Sequence, residues 1–419
     1  YAMLSHGQTD GVFQLESGGM KQTLMKLQPT CMEDIMVAIA LYRPGPMDSI
    51  PRFLANRAEP KALSYPIEKL EPILSPTYGC IVYQEQVMQI CRSVAGYSFG
   101  KADKVRRIMA KKKVAQMENE RKNFLAGAKQ NFIDESVANA LFDDMSSFAS
   151  YAFNKSHAAS YAIISYRTAY LKRHYPAEYF AALLSSVLDS QTKTAQYLAE
   201  ALHEGIRILP PDINASDVRD TVGAEDSTIR FGMLGVRNIG TNFAVQVVEE
   251  RKKRPYRSFM DFLTRLTDAN LIRTALESAI KAGMFDSLGE NRARLLAALP
   301  TLLEQTAAGR RNHIEGQLNL FTMDDAADAA SDTYDYPDVP EFSEKEKGNL
   351  ERESTGFYFS FHPLDEFSEQ IAFLQATPVE QIKQALEDAA EGEWEHRRVT
   401  LAGVISRCKT QTTKNGEPI

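Results

Sequence analysis

Two runs in this sequence carry side chains suited to binding anions. One is Lys101-Ala102-Asp103-Lys104-Val105-Arg106-Arg107-Ile108-Met109-Ala110-Lys111-Lys112-Lys113, and the other is Phe153-Asn154-Lys155-Ser156-His157-Ala158. A guanidinium can take two phosphate oxygens at once and a lysine adds a point charge, so Arg106, Arg107, Lys111, Lys155 and His157 are candidate phosphate-binding residues. Lys155 and His157, two apart, do not face each other inside a helix. They can converge at a loop-to-helix junction, where unpaired backbone N–H groups also favour anions. The formal net charge is −7, so a cationic surface here calls for a ligand, and a phosphate-bearing one fits best. The alternatives are a solvated charged helix face for the first run, and for the second a Ser156 N-cap with His157 packed beside it.

Asn238-Ile239-Gly240-Thr241-Asn242-Phe243-Ala244, ahead of Val245 to Arg251, has the spacing of a helix-hairpin-helix turn. Such a turn presents backbone N–H groups to DNA phosphates, which makes Asn238, Gly240 and Thr241 candidate DNA contacts. Asn238 stands where the first glycine is usual, and asparagine tolerates the left-handed conformation. Lys252, Lys253 and Arg254 follow and favour DNA. A more degenerate second copy runs from Ala279 to Asp286, with Arg292 and Arg294 beyond it. The alternative is an αα-hairpin that only packs. Gln317-Leu318-Asn319-Leu320-Phe321 places apolar residues in an acidic stretch. Exposed there, Gln317, Leu318, Leu320 and Phe321 invite a docking partner; the alternatives are a chance pentamer or a strand covering the next domain. No Asp-x-Asp sits on an apolar strand, no phosphate-loop glycine motif occurs, and Asp143-Asp144 and Asp324-Asp325 are adjacent carboxylates that diverge in regular structure. No catalytic residue and no metal ligand are therefore assigned.

The elements that must position these groups are mainly helical. A chain of 419 residues exceeds one ordinary core, so two or more domains are expected. Val105, Ile108 and Met109 share one face of the basic helix, while Lys104, Arg107 and Lys111 share another. Tyr78–Tyr83 has β character and Gln84–Ile90 turns helical. Ala158–Arg173 and Ala177–Val187 read as helices, Ser227–Phe231 as a short strand, and Asp365–Ala390 as a helix. Val399–Ile405 starts a β domain, with Asn415-Gly416 as its hairpin turn. Cys31, Cys80, Cys91 and Cys408 are scattered without a C-x-x-C pair, which argues against zinc and thiol redox chemistry and fits a reducing compartment. No apolar run suggests a membrane span. The start has no signal-peptide character, and both ends read as cuts within a longer protein.

Taken in order, Gly11-Val12-Phe13-Gln14-Leu15-Glu16-Ser17, Arg43-Pro44-Gly45-Pro46, Val82-Tyr83-Gln84-Glu85-Gln86, Lys101-Ala102-Asp103 with Arg106-Arg107, and Phe153–Ala158 resemble motifs of the bacterial DNA polymerase III α subunit, a family C replicative polymerase. The resemblance implies a mainly α chain: a multi-helix fingers domain over 1–205, a tandem helix-hairpin-helix DNA-binding region over 206–310, a linker with a clamp-binding motif over 311–340, a helical connector over 341–398, and the truncated β (OB-like) start of a further domain over 399–419. It implies DNA-directed DNA synthesis in the full-length protein, with the fingers binding the template and the incoming dNTP, the latter at Arg106, Arg107, Lys111, Lys155 and His157. DNA would meet Asn238, Gly240, Thr241, Lys252 and Lys253, and the sliding clamp Gln317, Leu318, Leu320 and Phe321. It further implies Mg held by a palm domain that this stretch lacks, other replicase subunits as partners, and a cytoplasmic location. The rival is a non-catalytic helix-hairpin-helix DNA-binding or repair scaffold module.

Overall fold

Helices dominate because apolar residues recur at helical spacing between well-defined caps. A computed structural model describes residues 1–110, 114–149, 153–223, 225, 227–266, 272–314, 334–379, 381–382, 385 and 398–405. Two compact units divide at Phe180 and Ala181, inside a helix and ahead of the boundary at 205 expected from sequence.

The first unit comprises α1 (Ala2–Ser5), α2 (Gly18–Leu27), α3 (Met32–Leu41), α4 (Ile50–Ala58), α5 (Glu71–Leu74), α6 (Gln84–Ala95), α7 (Phe99–Ala110), α8 (Val114–Gln130), α9 (Glu135–Ala149) and α10 (Lys155–His174), and it takes the start of α11 (Pro176–Ser186). It holds two apolar clusters. In one, α3 is buried from Asp34 to Leu41 and packs along α10. Ala158, Ala162, Ser165 and Ala169 give α10 a buried face of small side chains, which lets the two helix axes approach closely. Asp34 starts α3 by accepting from the amides of Thr30 (2.8 Å) and Cys31 (3.3 Å), and it pairs with Arg57 at 2.9 Å. In the other cluster α6, α7, α8 and α9 bury Val87, Ile90, Val94, Val105, Met109, Phe124 and Phe142. Ala102, Val105, Ile108 and Met109 all face inward from α7, as their spacing required.

The β character expected of Tyr78–Tyr83 reduces to one parallel bridge between Tyr83 and Phe153. The reason is Gln86. Its buried amide oxygen takes the Val82 and Tyr83 N–H groups at 2.8 and 2.9 Å, replacing a neighbouring strand. Its Nε2 donates to Thr77 Oγ1 at 2.6 Å and to the Ile73 carbonyl at 3.1 Å. The bridge joins the extended lead into α6 to the lead into α10: Phe153 N donates to the Val82 carbonyl, and Gln84 N donates to the Phe153 carbonyl.

The second unit continues with α12 (Gln191–His203), β1 (Arg207–Leu209), β2 (Thr221–Val222), β3 (Thr228–Arg230), α13 (Thr241–Lys253), α14 (Phe259–Arg265), α15 (Arg273–Lys281), α16 (Arg292–Ile314), α17 (Glu344–Thr355) and α18 (Ser368–Phe373). The sheet order is β1-β3-β2, with β1 parallel and β2 antiparallel to β3. Tyr256, Phe259, Phe262 and Phe285 centre the core, and Tyr334 and Tyr336 pack against it. The stretch expected to be a linker thus ends on the core. The expected connector is also docked: α17 sends Glu351, 1 % exposed, into a bond with Arg292. Of the helix expected over Asp365–Ala390, the described residues show a 3₁₀ turn at Asp365–Phe367, then α18, and helical residues again at Val379, Gln381, Ile382 and Ala385. Val399–Ile405 forms no strand ladder among the described residues, its tie being Thr377 N to the Thr400 carbonyl at 2.8 Å. The Asn415-Gly416 turn lies outside the described residues.

Candidate nucleotide and nucleic-acid interfaces

Gln84 and Glu85, the first two residues of α6, connect the two basic segments of the first unit. Arg106 on α7 donates to Gln84 Oε1 at 3.0 Å and to Asp103 Oδ1 at 2.9 and 2.7 Å. Glu85 turns the other way, accepting from Asn154 Nδ2 at 2.9 Å and from the Lys155 amide at 3.0 Å. Hydrogen bonds to two neighbouring residues of α6 therefore tie both α7 and the start of α10 to the same end of that helix.

The cap of α10 is Asn154, whose side chain accepts from the His157 amide at 2.8 Å. It is not Ser156, because the helix begins at Lys155 and leaves Ser156 one residue inside. Lys155 is exposed, with its ammonium 5.6 Å from the Tyr83 ring centroid. The His157 ring lies between Phe153 (5.2 Å) and Tyr161 (4.2 Å).

Arg106 is thus a scaffold cation, whereas Arg107, 67 % exposed, shares Asp103 at 2.7 Å and projects outward. The Arg106 hydrogen bond, with the charges of both arginines, holds the Asp103 carboxyl below its usual pKa. Asp103 therefore stays ionised and offsets one of the two positive charges. Lys111 lies outside the described residues.

The second unit presents a helix-hairpin-helix turn. Asn238 takes the left-handed conformation at φ 63° and anchors its amide to Ser278 Oγ at 2.9 Å. Gly240 is the N-cap of α13, and no side chain caps that end. The first amides of α13 have no partner within their own helix, and the residues that carry them, Thr241, Asn242 and Phe243, line an open cleft of about 470 Å³ together with Asn238, Gly240, Gln246, Ile272 and Ala275. Gly240 has an ordinary extended backbone, and a Cβ built on it would meet no atom of the chain within 4 Å. The fold does not require glycine there; a ligand approaching the backbone would. The helix dipole adds partial positive charge at the same place.

Lys252 and Lys253 are not beside this turn. They close the opposite end of α13, with Lys253 about 18 Å from Thr241 along the axis, twelve steps of ~1.5 Å. There they pair with Glu249 and Glu250, both at 2.6 Å. The second, degenerate hairpin is filled from within. Gly283 is left-handed, and a Cβ there would strike the Arg292 guanidinium, which is paired with Asp286 (2.7 Å) and Glu351 (3.0 Å). Arg294 pairs with Asp338 at 3.0 Å. Arg292 is held inside the unit and is not presented to a ligand, whereas Arg294 stays partly exposed beside an exposed Asp338. Gln317, Leu318, Leu320 and Phe321 lie outside the described residues.

Residues 1–132 match the model of the bacterial DNA polymerase III alpha subunit finger domain, and residues 205–295 match a helix-hairpin-helix motif. The DNA polymerase III alpha subunit of Thermus aquaticus is 40% identical over 425 aligned residues, covering 99% of this chain and 33% of that protein. That of Borreliella burgdorferi is 39% identical over 417 residues (99% and 35%), and that of Bacillus subtilis 37% over 423 residues (100% and 36%). The chain belongs to the DNA polymerase III α-subunit family. It spans about a third of the length of the curated relatives it matches.

Within this polymerase III segment two cations escape a reading of the sequence alone. Arg43 lies over the Phe153 ring at 4.1 Å, bringing the Arg43-Pro44-Gly45-Pro46 turn to the second basic segment. Arg237, exposed, directly precedes the left-handed Asn238. The signal for Arg237 was its place next to a turn already identified. Arg43 gave no local signal, since its partner is 110 positions away. Among the described residues no group of three His, Cys, Asp or Glu converges on a metal-sized site, and Asp143 is held by Arg121. These residues do not fit magnesium, and no chemical step is assigned through it. No described helix is long and apolar enough to cross a membrane.

Proposed function

We propose that this chain is the part of a DNA-directed DNA polymerase that holds the incoming nucleotide and grips the DNA. The observation that carries this reading is the connection of Arg106, Lys155 and Asn154 through Gln84 and Glu85, which sets two basic segments on one frame. Arg107 and Lys155, exposed on that frame, meet the triphosphate of a dNTP. In the whole enzyme such cations stabilise the charge that develops on the transferring phosphoryl group. Magnesium, on this reading, belongs to residues outside this segment.

The Asn238–Thr241 turn grips duplex DNA by its backbone. Amides at the start of α13 donate to a phosphate that sits where a side chain at Gly240 would otherwise lie, and Arg237 adds charge. The motif Gln317 to Phe321 docks on the sliding clamp, with other replicase subunits completing the assembly in the cytoplasm. A repair-type scaffold would explain the hairpin turn but not the connected basic frame.

The test is salt dependence. Neutralising two or three phosphates predicts that duplex affinity falls about tenfold to fiftyfold between roughly 50 and 200 mM salt, measured by fluorescence anisotropy. Affinity that stays level across that range would remove phosphate-led binding. The chain alone should extend no primer.

A further inference from the structure

The two hairpins of the second unit lead into α13 and α16, and the starts of these helices differ. No side chain caps α13. At α16 the first amides are taken by a residue far along the chain. Glu341, 49 positions beyond Arg292, accepts from the Arg292 amide at 3.1 Å with one oxygen and from the Ala293 amide at 3.2 Å with the other. A carboxylate set across two adjacent amides of a helix N-terminus stands where a phosphate would stand. The helix does not need it as a cap, because Asn291, directly before α16, already takes the Arg294 amide at 2.7 Å. The helix-hairpin-helix match, residues 205–295, takes in this end of α16.

The residues before Glu341 act in the same sense. Asp338, wholly exposed, holds the partly exposed Arg294 at 3.0 Å, so a cation at this helix end is neutralised as well. The Nε of Arg294 is buried and has no hydrogen-bond partner, a donor that Asp338 leaves unused. Between the two carboxylates, Asn291 Nδ2 donates to the Val339 carbonyl at 3.2 Å. Pro337 and Pro340 stiffen the path, and Tyr334 and Tyr336 fasten its start to the core. Glu341 itself stays partly exposed, with the Lys347 ammonium 3.9 Å away. Ion pairs at the surface hold weakly, so a polyanion can displace them.

We propose that the Asp338–Glu341 segment is a self-blocking strap: its two carboxylates occupy the phosphate-binding end of α16 and keep the second hairpin off duplex DNA until the strap is lifted. This rests on the DNA-binding reading above and adds regulation to it.

The experiment measures duplex affinity, its salt dependence and the melting temperature of the 419-residue chain, unaltered and as Glu341→Ala, Asp338→Ala and Glu344→Ala. Glu344 is an exposed acid three residues on, so its variant makes the same change of charge without touching α16. Asn291 still caps the helix in Glu341→Ala, which should melt within about 5 °C of the unaltered chain. Glu341→Ala should raise duplex affinity about threefold to tenfold and steepen the slope of log affinity against log salt by about 1, the mark of one more phosphate. Asp338→Ala, which frees Arg294, should raise affinity about twofold to fivefold, and Glu344→Ala should stay within about twofold. An unchanged salt slope in Glu341→Ala, or a gain no larger than that of Glu344→Ala, would overturn the strap. If Glu341→Ala fails to fold, Asp338→Ala decides alone, since Asp338 is wholly exposed. If the unaltered chain binds duplex and neither strap variant binds it more tightly, the strap fails by itself. If no variant binds duplex, the DNA-binding reading fails with it.

Discussion

Replacing Gly240 by aspartate should make the second unit slightly more stable and cripple its grip on duplex DNA. The two effects have opposite signs because the position serves two purposes. As N-cap of α13, Gly240 leaves the first helical amides without a side-chain acceptor. An aspartate supplies one, and its charge suits the helix dipole, together stabilising by ~0.5–1 kcal/mol. The backbone there is extended and the space around the new Cβ is open, so no clash offsets the gain. The same carboxylate takes the amides a phosphate would use and repels that phosphate. Charge-assisted hydrogen bonds are each worth ~1.5–3 kcal/mol, so duplex affinity should fall about tenfold to a hundredfold. Parallel thermal melts and anisotropy titrations test this. A turn that only packs would give the stability gain with unchanged DNA affinity.

Glu351→Ala should unfold the second unit at markedly lower temperature. One Glu351 oxygen takes the Arg292 guanidinium at 3.0 Å, and the other takes the amides of Phe359 (2.8 Å) and Ser360 (2.9 Å). Burial makes this expensive to break, since alanine leaves a half-paired guanidinium and two amides without their acceptor. Removing one partner of a buried pair costs about 3–5 kcal/mol, which for a unit of this size lowers the melting temperature by on the order of 10 °C. Glu351→Gln, which can still accept, should lose less. The consequence reaches the DNA turn, because the Ser354 carbonyl on α17 accepts from the Arg237 amide at 2.7 Å. Calorimetry on the purified variants decides this. A loss under about 1 kcal/mol would mean that α17 is not the brace its hydrogen bonds indicate.

What could be read from the residues and what could not divide along physical lines. Local rules carried far. The inward stripe of α7, the short strand around Ile229 and the left-handed Asn238 all follow from spacing or from the tolerance of one side chain, and each is where it was expected. Partnerships between distant residues were not legible. Arg106 looks like a free cation in sequence, yet Gln84, 22 positions earlier, and Asp103 absorb two faces of its guanidinium. Arg292 looks like a DNA contact and is spent inside the fold on Asp286 and Glu351. Lys252 and Lys253 lie farther from the turn than their place in the sequence suggests, for another reason. Nearness in sequence was read as nearness in space, whereas a helix of 13 residues moves its two ends apart. The Tyr78–Tyr83 segment had strand residues but no second strand, because Gln86 took the amides first.

The frame built on Gln84 and Glu85 has one direct test, a double-mutant cycle on dTTP binding. Calorimetry would compare the unaltered chain with Arg107→Ala, Lys155→Ala and both together. If both side chains close on one triphosphate, the double variant should depart from the sum of the single losses by about 1 kcal/mol or more. Losses that add within ~0.3–0.5 kcal/mol would place the two cations on separate surfaces and contradict the account.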